Sequence, residues 1–318
     1  MNKDKILKLL KENSGEFISG ERISEFLGIT RGGVWKSIKS LRSDGYMIES
    51  VTNKGYRLIN NVCRLSEAAV RANMGASQLG SRLVYCDTVT STFDTLAGLE
   101  PSEGLTVLAA HQTNGRGRLG RSWASNEGGI YFSFLLLPPI EAETAPFITL
   151  ICALGVYRAL SRYAKCGIKW PNDIVSDGKK LCGILTKTNL CESDIESVAV
   201  GIGVNANISS FAKELTNATS LKLICKKDID ENKLFAEIIN EIDNAYYHMK
   251  RSEVLAEYKK ACVNLLSEVA VHFKDGRETV RGTCTDILPD GSINVDLGDK
   301  TINVNSGEVS VRGIYGYA

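Results

Sequence analysis

The first sixty positions alternate between helical and strand spacing of apolar residues. Lys5–Ile6–Leu7–Lys8–Leu9–Leu10–Lys11 carries its apolar positions at helical intervals. Ser19 is placed to cap a short helix over Glu21–Leu27, and Gly28 breaks it as the turn of a helix-turn-helix requires. Thr30 caps the next helix, Arg31–Asp44, which Gly45 ends. Within that helix Val34, Ile38 and Leu41 fall at i, i+4 and i+7 and should face a core, while Arg31, Lys36 and Lys39 fall largely off the stripe. Tyr46–Val51 and Gly55–Leu58 then read as two strands around Thr52–Asn53–Lys54, a hairpin wing. A recognition helix with a basic wing beside it is a docking mode for duplex DNA. Trp35 leaves two readings open, packing on its own domain or contact with DNA.

Farther along, strands and helices alternate. Leu83–Tyr85, Leu105–Ala110, Ile130–Leu136 and Val198–Val204 read as buried strands of a mixed sheet, with helices over Pro146–Tyr163 and Glu231–Lys250. Lys169–Asp173 and Lys179–Leu185 flank the turn signal Ser176–Asp177–Gly178 and should pair as a hairpin. From about Leu266 short strands are separated by Asp275–Gly276, Asp290–Gly291 and Gly298–Asp299, with clear alternation in Ser292–Leu297. The organisation expected is a basic helical module at 1–62, an α+β body at 63–266 and a small β module at 267–318.

A chain of 318 residues is too long for one ordinary core. Its 43% hydrophobic and 24% charged content is that of a globular protein, which excludes a disordered chain. The net charge of +1 hides an asymmetry: residues 1–62 carry 11 Lys and Arg against 7 Asp and Glu, the remainder 27 against 30. A basic module on a mildly acidic body strengthens the DNA reading. Nine cysteines are scattered without a C-x-x-C and without metal-ligand spacing to the three histidines, which reads as reduced thiols in a cytoplasmic protein. The start of the chain lacks the apolar core of a signal peptide, and the longest apolar runs are too short to span a bilayer, so no membrane role is expected.

The most informative chemistry lies in His111–Trp123. Gly115, Gly117 and Gly120 interleave with Arg116, Arg118 and Arg121, and Trp123 closes the run. Glycine lets backbone approach a ligand, arginine offers a planar fork for carboxylate or phosphate, and an indole offers a face for a purine. Gly/Arg-rich segments are often nucleic-acid-binding tails. This one is held between two core strands, which favours a mobile lid that closes on an anion, a nucleotide together with a carboxylate. Lys180 can be carried toward that loop, where an ammonium would stabilise charge developing on a phosphate. The plainer alternative is that Lys179 and Lys180 are solvated turn lysines, and spacing leaves both open.

Gly115–Arg–Gly–Arg–x–Gly–Arg–x–Trp123, Lys169–Trp–Pro–Asn–Asp173 and Lys180–Leu–Cys–Gly–Ile–Leu185 resemble the signature of biotin–protein ligases. Ser91–Thr92 and Gly201–Ile–Gly–Val–Asn205 stand in the same order as in that family. With the N-terminal module, the whole chain is similar to the bacterial proteins that combine biotin ligase and biotin-operon repressor. The resemblance implies an α+β fold: a winged helix-turn-helix, a mixed-sheet catalytic domain of the biotin/lipoate ligase type, and an SH3-like small barrel. It implies biotin, ATP and Mg²⁺ as reactants, a biotin carboxyl carrier protein and operator DNA as partners, and a ligand-promoted homodimer.

It also implies roles for single residues. Ser91, Thr92, Phe93, Gln112, Gly115, Arg116, Gly117, Arg118, Lys180 and Gly183 would surround biotin. Arg121, Trp123, Asn172, Asn205 and Arg312 would meet the nucleotide, with Mg²⁺ near Asn172 and no metal site built from a protein cluster. Lys180, Arg118 and Asp173 would carry the chemistry, Asp173 by orienting the acceptor lysine. Arg31, Lys36, Lys39 and Lys54 would contact DNA. One departure stands out: the family usually follows Ser-Thr with Asn, and this chain has Phe93–Asp94. Two alternatives stay open, a biotin-sensing repressor without ligase activity and a lipoate–protein ligase.

Overall fold

The computed structural model describes residues 2–13, 15–43, 45–59, 65–140, 145–192, 194–273, 278–306 and 309–313. The chain divides into two compact units, Met1–Met74 with Asp228–Ala236, and Gly75–Lys227 with Glu237–Ala318.

The first unit contains α1 (Asn2–Glu12), α2 (Gly20–Leu27), α3 (Arg31–Ser43), the paired strands β1 (Ile48–Val51) and β2 (Gly55–Leu58), and α4 (Glu67–Asn73). Ser19 caps α2 by accepting from the Arg22 backbone N–H, and Gly28 ends it at φ +64°. The residues that helical spacing assigns to the inside are inside: Ile6, Leu10, Ile23, Val34, Ile38 and Leu41 are buried with Ile48 and Leu58 of the wing. Burial of each such side chain is worth about 1.5–3 kcal/mol over exposure. The wing is tied down by a bridge between Ile18 and Tyr56. Sequence spacing missed α4, which Ser66 caps and whose cap N–H donates to Asn232 Oδ1 at 2.9 Å.

The second unit is built on a seven-stranded sheet. In chain order come β3 (Leu83–Val89), α5 (Thr92–Ala97), β4 (Thr106–Gln112), the two-residue strands β5 (Gly115–Arg116) and β6 (Ser122–Trp123), and β7 (Gly129–Leu136). They are followed by α6 (Ala145–Leu160), β8 (Gly167–Lys169), β9 (Asp173–Ser176), β10 (Lys179–Cys191), β11 (Asp194–Asn205), α7 (Leu221–Cys225), α8 (Glu231–Tyr247), whose residues up to Ala236 count with the first unit, and α9 (Arg251–Ala261). The strand order is β3-β4-β7-β11-β10-β9-β8, with β3 and β4 parallel and the rest antiparallel, so the sheet is mixed as expected. Helix α6 is apolar nearly all round, and most of its residues are buried.

Three local readings need correction. The hairpin around Ser176–Asp177–Gly178 forms, but its first arm is β9, which begins only at Asp173; residues 169–173 instead make the tight turn from β8 into β9, with a cis Trp170–Pro171 bond, and Pro171 has no N–H to give to a ladder. The helix expected over Glu231–Lys250 stops at Tyr247, and a separate α9 starts after Lys250. The loop at 115–123 is a miniature hairpin, β5 paired with β6 around a 3₁₀ turn at Arg118–Gly120.

The C-terminal residues form a five-stranded antiparallel sheet of β12 (Glu268–Phe273), β13 (Val280–Ile287), β14 (Ile293–Asp296), β15 (Thr301–Val304) and β16 (Val309–Gly313), in the order β15-β14-β13-β12-β16. The sheet closes over Val269, Val271, Cys284, Ile287, Ile293 and Val295, all buried. The turn expected at Asp275–Gly276 lies outside the described residues.

Candidate functional site

A cavity of about 460 Å³ opens over β7, β11 and β10, walled by the first turn of α5, the β5–β6 hairpin and the β8–β9 turn. Its lining includes Arg116, Arg118, Arg121, Lys169 and Lys180 against a single carboxylate, Asp173. Ser91, Thr92, Phe93, Gln112, Gly117, Trp123, Asn172 and Gly183 line it too. Residues separated by ninety positions in the chain therefore meet around one volume.

One wall is a chain of hydrogen bonds. The backbone N–H and Oγ1 of Thr92 both donate to Gln112 Oε1, at 2.8 and 3.1 Å. Thr92 Oγ1 also lies 2.8 Å from Ser133 Oγ, and Gln112 Nε2 donates to Ser125 Oγ at 2.9 Å. Ser125 in turn donates to the carbonyl of Trp123. Buried polar atoms left unpaired cost about 1–3 kcal/mol each, so this satisfied network sets the position of α5 and of the hairpin together. Ser91 caps α5, accepting from the Phe93 N–H at 3.2 Å, while still facing the cavity. Phe93 lies against Gly201 of β11, where an added Cβ would stand 2.7 Å from its ring.

Trp123 rests on a shelf made of two glycines. A Cβ at Gly203 would lie 2.4 Å from its Nε1, and one at Gly183 would lie 2.7 Å from its Cζ3. Lys180 Nζ sits 5.1 Å from the ring centroid. Among the described residues the indole N–H is buried without a hydrogen-bond partner. Gly115 is not part of the lining: a side chain there would meet Ser125 Oγ and the Trp123 carbonyl at 2.5 Å, so its role is to let β5 and β6 close up.

Lys180 reaches the cavity through a fault in the sheet. The β9–β10 register shifts between Lys180 and Cys182, and a bulge there re-aims the side chain. Its Nζ pairs with Asp173 Oδ1 at 2.8 Å. Its backbone is stitched to the 217–219 segment, with the Lys180 N–H donating to the Asn217 carbonyl and the Thr219 N–H to the Lys180 carbonyl. Asn205 lies outside the cavity lining; its amide donates to the carbonyls of Thr219, at 2.9 Å, and Lys180, and so supports Lys180 from below. The neighbouring Cys182 is buried, and burial pushes its thiol well above the usual range, which suits a packing residue rather than a nucleophile.

The β8–β9 turn is held from several sides. Trp170 donates through Nε1 to the Gly291 carbonyl at 3.0 Å and through its backbone to Asn264 Oδ1, and Tyr258 donates to the Pro171 carbonyl at 3.0 Å. Asn172 donates to the Ile184 carbonyl and accepts from Arg118 at 2.9 Å; Arg118 also donates to the Ser306 carbonyl. Among the described residues no group of three or more His, Cys, Asp and Glu side chains gathers to hold a metal.

Spacing missed Ser133, Lys169, Gly203 and Asn217 as lining residues. Two of them had a signal. Ser133 interrupts an otherwise apolar strand, and Lys169, only 5% exposed, ends another. A polar group inside such a run must find a partner or a ligand. Arg312 belongs to β16, paired with Ala270, but its side chain lies outside the described residues.

In the first unit Arg31, Lys36, Lys39 and Lys54 are exposed. Arg31 pairs with Glu21 at 2.5 Å and Lys54 Nζ lies 6.0 Å from the Phe17 ring. Trp35 settles on the outward face of α3, 55% exposed, with Lys39 Nζ 5.4 Å from its ring.

Residues 83–205 match the biotin/lipoate A/B protein ligase family, and residues 2–57 match an HTH domain. The "Bifunctional ligase/repressor BirA" of Bacillus subtilis (strain 168) is 40% identical over 250 residues, covering 76% of this chain and 77% of that protein. The protein of the same name from Escherichia coli (strain K12) is 30% identical over 260 residues, covering 80% and 79%. Among solved structures, the biotin protein ligase from Aquifex aeolicus in complex with biotin and ATP superposes with a TM-score of 0.66 at 30% identity, over 73% of this chain and 99% of that one. At this identity and over this share of its length, the chain belongs to the family of bifunctional biotin ligases and repressors.

Proposed function

We propose that this protein activates biotin with ATP to biotinyl-5′-AMP, transfers the biotinyl group to a lysine of a biotin carboxyl carrier protein, and represses biotin genes with the adenylate as corepressor. The observation that carries the reading is the convergence of five basic side chains on one cavity beside a satisfied hydrogen-bond wall. In the first step a biotin carboxylate oxygen attacks the α-phosphorus of ATP and pyrophosphate leaves. In the second, the carrier amine attacks the acyl carbon, AMP departs with the electron pair of the broken C–O bond, and the amine loses a proton. A carboxylate is a poor electrophile, and adenylation supplies the leaving group.

Lys180 and Arg118 hold the carboxylate and the α-phosphate, where fixed cations act on charge that grows in the transition state, while Arg116 serves the binding of biotin. Ser91, Thr92, Phe93 and Gln112 form the end that receives the bicyclic head of biotin. Arg121 and Trp123 take the nucleotide, the indole offering a flat face for the purine. Asp173, already paired with Lys180, orients the incoming amine. Asn172 does not fit a resident Mg²⁺: its oxygen is engaged by Arg118 and its nitrogen by Ile184. A Mg²⁺ ion would instead arrive on the nucleotide phosphates.

We assign DNA contact to the module at 1–62, catalysis to 63–266 and a supporting role to 267–318. Arg31, Lys36, Lys39 and Lys54 meet phosphates, and a homodimer formed around the adenylate places two α3 helices on two half-sites. No helix among the described residues is long and apolar enough to cross a membrane; we place the protein in the cytoplasm. One experiment on a single preparation separates this reading from its alternatives: labelled biotin or lipoate is offered with ATP and a carrier domain, and DNA binding is measured with and without biotin and ATP. Transfer of biotin with biotin-dependent DNA binding is the expected result. DNA binding without transfer indicates a sensor alone, and transfer of lipoate in place of biotin overturns the substrate.

A further inference from the structure

The stretch from Gly115 to Trp123 contains three arginines and no acidic residue. Such a segment repels itself, and its own fastening is limited to the short backbone pairing of Gly115 with Trp123 and Arg116 with Ser122. Two of its arginines are anchored elsewhere. Arg118 donates to Asn172 and to the Ser306 carbonyl. Arg116 pairs with Asp94, its terminal nitrogen 2.8 Å from one carboxylate oxygen and 2.9 Å from the other. Asp94 is therefore a carboxylate, brought from twenty-two residues away, that neutralises part of the loop.

Its mount is rigid. Asp94 stands in the first turn of α5, where Ser91 caps the helix, Thr92 is bonded twice to Gln112 at the end of β4, and the Phe93 ring lies against Gly201. Gln112 leads through Ser125 to Trp123, the far end of the same hairpin. The hairpin is thus fastened at Trp123 by neutral hydrogen bonds and at Arg116 by an ion pair. The residues that depart from the familiar Ser-Thr-Asn order supply two of these fastenings, Phe93 as packing and Asp94 as charge.

We propose that Asp94 is a positioning residue for substrate binding: it holds Arg116, and with it the β5–β6 hairpin, against α5 so that one end of the cavity is walled before the anionic substrate arrives. The identity of that substrate as biotin rests on the function proposed above; the clamp does not. Arg116 is 55% and Asp94 40% exposed, so the pair is screened and its effect modest. Pre-ordering lowers the cost of binding rather than the barrier to chemistry, so the effect falls on KM and not on kcat.

The test uses the full chain and the variants Asp94→Asn and Asp94→Glu. Tryptic cleavage after Arg116 is timed in the free protein, and KM for biotin and kcat for pyrophosphate release are measured at about 0.1 M and about 1 M NaCl. Asp94→Asn should be cut several-fold faster and show a KM raised roughly three- to five-fold at low salt, with kcat within about two-fold. High salt should close the KM gap, and Asp94→Glu should recover much of the wild-type behaviour. Unchanged cleavage and KM overturn the clamp. A lower KM overturns it by making Asp94 a competitor of the substrate. A gap that ignores salt overturns it in favour of a packing effect. If the wild type takes up no biotin, the proposed function fails while the cleavage arm still decides the clamp.

Discussion

Both units of this protein place a lysine over a tryptophan, and they do so by different means. On α3, Lys39 lies 5.4 Å from the Trp35 ring, four residues away on the same helix, and both side chains face outward. In the cavity, Lys180 lies 5.1 Å from the Trp123 ring across fifty-seven residues of chain. There the indole is held by the glycine shelf of β10 and β11, and the lysine is aimed by a bulge. The first pair is a consequence of helix geometry, since i and i+4 share a face. The second needs a sheet, two missing side chains and a register fault in the right strand. The first kind of site can lose a residue and keep its frame; in the second, each residue is part of the frame.

Removing Lys180 tests that difference most severely. Lys180→Ala deletes the charge that the proposed function sets at the carboxylate–phosphate junction, and loss of such a group typically costs about 2.7–4 kcal/mol. Adenylate formation, followed as pyrophosphate release, should fall about a hundredfold or more, while DNA binding without ligand stays as in the wild type. A rate close to wild type would break the comparison, because the half-buried pair in the cavity would then be as dispensable as the exposed one.

A smaller effect is expected from filling the shelf. Gly203→Ala puts a methyl 2.4 Å from the Trp123 nitrogen, and overpacking of this kind costs about 1–3 kcal/mol. KM for ATP should rise about tenfold, each tenfold being about 1.4 kcal/mol, with unchanged far-ultraviolet circular dichroism. An unaltered KM would mean that the indole is not held for the nucleotide.

The smallest effect belongs to α3. Lys39→Ala should weaken DNA binding a few-fold and lower the slope of log affinity against log salt by about one, leaving biotin transfer untouched. An unchanged slope would remove Lys39 from the phosphate contacts.

The departure at Phe93–Asp94 shows where sequence reasoning stops. Motif order flags the pair as unusual, yet nothing in the spacing connects Asp94 to Arg116. Likewise Gly201–Ile–Gly–Val–Asn205 is visible as a motif, but only the structure separates Gly203, under the indole, from Asn205, outside the cavity and bonded to the Lys180 carbonyl.

The sequence by itself determined the local elements of the first unit, the buried strands of the second, and the arginine–glycine composition of the hairpin. These follow from periodicity, capping and residue chemistry, which act over a few positions. Tertiary structure alone decided that the Lys169–Asp173 segment is a turn, that a bulge points Lys180 at Asp173, and that Gln112 joins α5 to Trp123. Those outcomes depend on strand register and on contacts across long chain separations, where a shift of one residue turns a side chain to the opposite face.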